Sequence, residues 1–471
     1  MVVYQIYPRS FQDSDGDGVG DLRGIERRLD HIAGLGVDAL WLSPIYPSPL
    51  ADFGYDVVDY TGIDPVYGSL EDFDALVAAA AERGLEVLMD LVPCHTSIEH
   101  PWFRDHPDWY VWSDGRDGGP PNNWLATFGG PAWTWHEGRR KWYLHSFYPE
   151  QPDLDWRNEE VRAAFRDVLR FWVGRGVHGF RIDAIDRLVK DRDLRDDPPA
   201  TAPFALPLPD EYATLEHLHS VNAPDTGHAL RSLRAAAGDA LLVGEVYLPA
   251  AAVTPYLEHL DAAFAFELFH APWDARALRA ASAASADHQA GAAWVLSNHD
   301  FPRLPDRFGP DSVRAAAVLI ATLPGLVFIY QGDEIGMRDG EGAPGAALDR
   351  VGRDRHRHPM QWEPEPLGGF TTGRPWLPLT DPLERSVLAQ ESEPGSLLCL
   401  WRELLALRRE LDGELELLDA PEGVLAYRRG GHVVGVNTAG ERRSAPARGT
   451  PLLTTHPGEP LAPHAAAIWR D

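Results

Sequence analysis

Cysteine is almost missing from this chain. Its 471 residues contain two, Cys94 and Cys399, too far apart in sequence to belong to a disulfide framework or a cysteine-rich zinc site. Lysine is as scarce: Lys141 and Lys190 are the only two among 43 basic residues, and the rest are arginine. Positive charge as a whole is short, because 71 acidic residues leave a net charge of −28. Such a balance argues against nucleic acid or an anionic membrane surface as a partner. No apolar run approaches the roughly 18 residues of a membrane span, and no basic and apolar leader precedes the strand-like opening Val2-Val3-Tyr4-Gln5-Ile6-Tyr7. A cytoplasmic location is the default expectation.

What is present is a regular alternation. Short β-branched runs at 2–8, 39–44, 86–92, 179–184, 240–246, 262–268, 293–299 and 327–332 are separated by segments whose apolar residues recur at helical spacing. Leu70, Phe73, Leu76 and Val77 form one such stripe, and Val161, Phe165, Val168, Leu169 and Trp172 another. Eight βα units predict an α/β fold, a closed (β/α)8 TIM barrel. About 60 Trp-, Pro- and Gly-rich residues interrupt the rhythm after strand three, a loop grown into a small domain. A second irregular stretch, Asp191 to Thr226, reads as a rim loop after strand four. Beyond a helix ending near Leu411, alternating runs such as His432-Val433-Val434-Gly435-Val436 predict a small C-terminal all-β domain. The expected layout is a barrel of 1–94 and 158–411, an inserted domain of 95–157 and a β domain of 412–471.

In such a barrel the active site is built at the carboxyl ends of the strands, so polar residues there carry the chemistry. Strand three ends in Asp90, followed by His95. Strand four gives Gly179-Phe-Arg181-Ile-Asp183, strand five Gly244-Glu245-Val246, and strand seven Ser297-Asn298-His299-Asp300. One acid after a strand is usually a cap or a surface ion pair. Four at matching strand ends point to one mouth.

This ordered series resembles the four signature regions of the α-amylase family of glycoside hydrolases, family 13. Gln151-Pro-Asp-Leu-Asp-Trp156, Phe328-Ile-Tyr-Gln-Gly-Asp-Glu334 and His358-Pro-Met-Gln-Trp362 resemble its oligo-1,6-glucosidase and α-glucosidase branch. The resemblance implies a glycosidase with Asp183 as nucleophile, Glu245 as acid/base and Asp300 as a third acid on the sugar hydroxyls. Adjacent strand ends suit the ~5–5.5 Å carboxyl separation of a retaining mechanism. Arg181, two residues before Asp183, faces the same way along the strand and keeps it ionised. The resemblance further implies sugar contacts from His95 and His299, an aromatic platform at Tyr55, and a clamp of Asp56 and Arg357 closing the pocket beyond a terminal glucose. Arg353 and Arg355 are alternatives to Arg357. The chain departs from the family pattern at Cys94, where Asn is usual. A thiol lacks the amide's two-sided hydrogen bonding, which puts any calcium site built on that Asn in doubt.

A separate loop, Asp13-Ser-Asp15-Gly-Asp17-Gly-Val19-Gly-Asp21, offers carboxylates at Asp13, Asp15, Asp17 and Asp21 with the carbonyl of Val19. Position 12 is Gly24, so it is not a full EF-hand. It resembles the calcium loop of the oligoglucosidase branch and predicts a structural Ca²⁺, with no organic cofactor. The expected activity is a retaining exo-acting α-glucosidase on short oligosaccharides. In the branch that the chain resembles, Val after the nucleophile goes with α-1,6 activity and smaller or polar residues with α-1,4, so the resemblance implies α-1,4 linkages for Ala184. The alternative is a glucosyl transferase or isomerase of the same family, of the sucrose isomerase, trehalose synthase or amylosucrase type. A non-catalytic family member would have lost its acids and gained a membrane span, and a calcium-dependent binding module would account only for residues 13 to 21.

Overall fold

Sixteen strands are laid down along the chain of this computed structural model, which describes residues 1–285, 289, 291–342, 349–459 and 461–471. They run as β1 (Val2–Ile6), β2 (Ala39–Leu42), β3 (Glu86–Leu91), β4 (Trp112–Ser113), β5 (Trp133–His136), β6 (Lys141–Leu144), β7 (Gly179–Ile182) and β8 (Leu241–Gly244), then β9 (Ala262–Phe264), β10 (Ala292–Trp294) and β11 (Leu326–Tyr330). The last five are β12 (Leu415–Leu417), β13 (Val424–Arg429), β14 (His432–Asn437), β15 (Leu453–Thr454) and β16 (Ala466–Arg470). Eight of them close into a barrel in the order β1-β11-β10-β9-β8-β7-β3-β2, the architecture expected from the alternation. Its strands are buried along most of their length, which is why they read as near-continuous apolar runs. The buried polar exceptions, Gln5 on β1, Asp90 on β3 and Arg181 on β7, mark where function intrudes.

The strands stop short of their expected carboxyl ends. Residues 265–268 begin a helix, Phe266–His270, and 295–299 form a loop after β10. Polar residues there commit their hydrogen bonds to side chains and turns, so the ladder cannot continue. Asp183 and Glu245 keep one ladder bond each, from their N–H groups to Leu91 O (2.9 Å) and Ile182 O (2.8 Å). They stand one residue past the end of β7 and β8.

The chain divides into two compact units, one of residues 1–41, 78–86 and 264–471, the other of 42–77 and 87–263. In the first, β1 pairs with β11 and β10 with β11, all parallel. Residues 415–470 of the same unit form a five-stranded antiparallel sheet, β12-β13-β14-β16-β15, around Val424, Ala426, Leu461, Ala467 and Trp469. In the second unit β3, β7 and β8 run parallel, with Asp90 opposite Arg181 and Arg181 opposite Val243. The helix Glu159–Val173 shows how sequence sets an element here. Asn158 caps it by accepting from Glu160 N, worth about 1 kcal/mol, and Glu159 and Glu160 sit at its positive end. Its buried stripe is the predicted one, Val161 to Trp172, and Trp172 Nε1 donates to Tyr60 O at 2.7 Å. The segment between β3 and this helix carries its own sheet, β4-β6-β5, over a core of Trp124, Ala126, Ala132, Trp133 and Leu144. The stretch from Asp191 to Asp225 holds only the 3-10 turn Tyr212–Thr214. No helix among the described residues is long and apolar enough to cross a membrane.

Candidate active site

Arg181 is the centre of the second unit's polar cluster. Its Nη1 donates to Asp90 Oδ1 at 2.9 Å and Asp183 Oδ1 at 2.6 Å, and its Nη2 lies 2.9 Å from Glu245 Oε2. Parallel register creates the arrangement, since Asp90 and Arg181 are strand partners and Asp183 follows two residues on along the same face. One planar fork thus serves three carboxylates, with Asp183 and Glu245 on its two prongs. Arg181 and Asp90 are buried, while the Glu245 side chain is 21% exposed, open enough to reach a leaving group. Burial pushes the Asp183 carboxyl up to about 7; Arg181 pulls it back and Asp90 pushes it up again. Asp90 is raised to about 6, again by burial, against the pull of Arg181. Burial thus pushes both Asp183 and Asp90 up, against the pull of the one cation that faces them.

Tyr55 belongs to this cluster. Its hydroxyl donates to Asp90 Oδ2 at 2.9 Å, and Arg181 lies 5.7 Å from its ring centroid. Ala184 adopts a left-handed conformation (φ +43°) and its N–H meets Glu245 Oε2 at 3.1 Å. A left-handed residue costs roughly 1–2 kcal/mol unless it is glycine. That strain sits directly beside the nucleophile. His95 Nε2 lies 3.0 Å from the Tyr55 carbonyl and 2.9 Å from Gln151 Nε2. Burial lowers the His95 pKa, which keeps the ring neutral.

The expected clamp acid, Asp56, sits within a turn. Both oxygens of Asp56 are taken up by its own turn, accepting from Ser48 Oγ (2.7 Å), Ala51 N (2.8 Å) and Asp52 N (3.0 Å). This buried carboxylate holds the turn together. The acid turned toward the cluster is Asp52, which accepts from Gln151 Nε2 at 2.9 Å and acts electrostatically on both Asp183 and His95. The sequence signal was present in Asp52-Phe-Gly-Tyr55-Asp56, but two acids four residues apart cannot be ranked without the turn.

Cys94 also finds its explanation here. The ammonium of Lys190 is buried against Asp153, lies 3.9 Å from Cys94 Sγ and donates to Arg187 O at 2.5 Å. Asp153 would be raised by burial, yet Lys190 brings it below the usual carboxylate range, while burial pushes the Cys94 thiol up. Cys94, His95 and Asp153 converge closely enough to hold a metal, but one of the chain's two lysines already neutralises the only charge among them.

The first unit carries the second polar cluster. Asp300 Oδ1 receives Arg357 Nη2 at 2.9 Å and Arg353 Nη1 at 3.2 Å, and its Oδ2 lies 3.3 Å from His299 Nε2. Of the three candidate arginines, Arg355 is exposed and takes no part. Arg357 is buried, also donates from Nε to His299 O at 2.9 Å and lies over the Tyr7 ring; Arg353 is oriented by the buried Asp349. Sequence reasoning missed this support. His299 is further held by Gln5 Nε2, 2.8 Å from its Nδ1, and by stacking on Tyr7.

Three of the acidic loop's four carboxylates converge. Carboxylate oxygens of Asp13, Asp15 and Asp21 lie within 4.8 Å of one another. Asp17 is outside the group, its Oδ1 accepting from Val19 N at 2.8 Å, so Asp17 and Val19 form a turn of their own. Asp13 accepts from the N–H groups of Asp15, Gly16 and Gly18, and Asp21 caps the helix Leu22–Arg27 through Gly24 N. Gly18 (φ +93°) is required, since a Cβ would lie 1.9 Å from Arg374 O. Three hard oxygen donors of like charge fit Ca²⁺ in kind.

A sequence model of the α-amylase catalytic domain matches residues 5–414, and the chain belongs to this family. Among curated relatives, a probable α-glucosidase of Rhizobium meliloti is 42% identical over 91% of this chain and 86% of its own. Maltase 1 of Drosophila virilis is 38% identical, covering 91% and 75%, and an oligo-1,6-glucosidase of Parageobacillus thermoglucosidasius 35%, covering 87% and 83%. Among solved structures, an α-glucosyl transfer enzyme superposes with a TM-score of 0.92 at 38% identity, covering 100% of this chain and 98% of that one. The trehalulose synthase of Pseudomonas mesoacidophila MX-45 gives 0.89 at 30%, covering 100% and 98%.

Proposed function

We propose that this enzyme is a retaining exo-acting α-glucosidase that releases terminal glucose from short α-linked oligosaccharides. The observation that carries this reading is the single Arg181 guanidinium shared by Asp183, Glu245 and Asp90. Asp183 attacks the anomeric carbon as Glu245 gives its proton to the leaving oxygen. Glu245 then takes a proton from water, which displaces Asp183 and restores the α-configuration. Asp300 accepts hydrogen bonds from the sugar hydroxyls, and Arg357 and Arg353 keep it ionised. Asp56 grips the terminal glucose, and Asp52 is held beside His95 through Gln151. The names of the relatives, a maltase and α-glucosidases, support hydrolysis of small α-glucosides, and Ala184 supports α-1,4 over α-1,6. The two structural neighbours that transfer or isomerise favour a second reading, in which the same glucosyl-enzyme is intercepted by a sugar instead of water. A cytoplasmic location accords with the two unpaired cysteines.

Chromatography of maltose, maltotriose, isomaltose, sucrose, trehalose and starch digests tests the reading. Glucose is expected as the first product from maltotriose, with maltose preferred to isomaltose and starch barely attacked. Large fragments from starch would make the enzyme endo-acting, and a dominant new disaccharide would make it a transferase.

Ca²⁺ bound by the acidic loop, through Asp13, Asp15, Asp17, Asp21 and the Val19 carbonyl, acts on stability, because binding to the native state alone raises the unfolding free energy. Excess EDTA should lower the melting temperature while leaving short activity assays intact. An unchanged melting curve with no calcium found by elemental analysis would refute this.

A further inference from the structure

Four residues past Asp183 lies an arginine that the reaction above does not use. Arg187 ends the 3-10 turn Ile185–Arg187 and is 7% exposed. Its Nη1 donates to the Tyr212 hydroxyl at 2.7 Å, and Nε and Nη2 have no hydrogen-bond partner among the described residues. The guanidinium lies against two rings, 5.2 Å from the centroid of Tyr212 and 5.4 Å from that of Phe147. Neither nitrogen is fully enclosed, so both remain open to an acceptor arriving from solvent.

The surroundings of Arg187 say what that acceptor is. The turn that carries Arg187 is fastened to the acid/base, through Ile185 N to Glu245 O at 3.1 Å and Ala184 N to Glu245 Oε2 at 3.1 Å. Glu245 protonates the leaving oxygen, so this flank faces the aglycone. On the other flank Phe147 meets His95, ring centroids 5.2 Å apart. Tyr212 comes from the rim stretch 191–225, and its ring is fixed in advance by stacking on His217 at 3.6 Å. His217 is held in turn by Tyr212 O (2.8 Å) and Ser220 Oγ (3.2 Å), and burial lowers its pKa to about 4, so the stack stays uncharged. An anion entering here would meet Asp183, Glu245 and the buried Asp186. A hydroxyl accepts from the guanidinium and donates to a carboxylate, and suits both.

We propose that Arg187, oriented by Tyr212, is the aglycone-side specificity residue. It donates from Nε and Nη2 to hydroxyls of the leaving group, so the enzyme selects glucosides whose aglycone is itself a polyol, such as a second sugar, over aryl glucosides. This rests on the α-glucosidase reading above.

The test compares kcat/KM on maltose and on p-nitrophenyl α-glucoside for wild type, Arg187→Met, Arg187→Lys and Tyr212→Phe, with melting temperatures alongside. Charge-assisted hydrogen bonds of this kind predict that Arg187→Met lowers kcat/KM on maltose by about 10- to 100-fold, mainly through KM. The aryl substrate loses far less, so the maltose-to-aryl ratio falls at least about tenfold. Arg187→Lys recovers part of that ratio, and Tyr212→Phe shifts it the same way by less. A parallel loss on both substrates would reduce Arg187 to a packing role and overturn the proposal. Should Arg187→Met fail to fold, the ratio in the other two variants decides. A wild type inert on both substrates would overturn the α-glucosidase reading instead.

Discussion

Asp183→Asn should lower kcat on maltose by about 10⁴-fold or more, because it removes the atom that carries the glucosyl group between the two half-reactions. The same variant should not lose stability. Burial raises the Asp183 carboxyl to about 7, above its unfolded value of about 3.9. Between those values the folded state binds more protons than the unfolded one, so stability falls as pH climbs through that window. At pH 8 the charge is a net cost of folding, which the neutral amide removes while still accepting from Arg181. Thermal melting at pH 8 should place the variant at or above wild type. Turnover above about a tenth of wild type would refute the nucleophile assignment, since covalent nucleophiles contribute many powers of ten. A large fall in melting temperature would show that the carboxylate is a structural ion pair.

Glu245→Gln is the second large effect, and its signature is dependence on the leaving group. With maltose the departing oxygen needs a proton, and losing a positioned general acid costs about 10²–10⁴-fold. Fluoride leaves without one, so α-glucosyl fluoride should react with the variant far better than maltose does, relative to wild type. The amide keeps the contact to Ala184 N that the carboxylate makes at 3.1 Å, so the strained turn beside Asp183 survives the change. Equal losses on the two substrates would mean that Glu245 positions the turn and supplies no proton.

The barrel was legible because parallel strands buried on both faces leave unbroken apolar runs and helices leave stripes; Val161 to Trp172 is both the predicted and the observed buried face. Residues that sit one position past a strand end were legible too, since ladder register fixes which way they point. Asp183 and Glu245 are of that kind. Residues on turns were not. Asp52 and Asp56 present the same chemistry to a reader of sequence, and only the turn shows that Asp56 accepts from backbone donors while Asp52 reaches Gln151. In the acidic loop, likewise, the spacing does not show that Asp17 Oδ1 accepts from Val19 N. Long-range support is invisible in the chain altogether, as Gln5 and Tyr7 beneath His299, and Lys190 beside Cys94, all illustrate.

The central claim is that the glucosyl group passes through Asp183 and returns to its original configuration. Proton NMR of the first glucose released from p-nitrophenyl α-glucoside, recorded before mutarotation, tests this most directly. The account predicts the α-anomer. The β-anomer appearing first would mean a single displacement by water, and would contradict it.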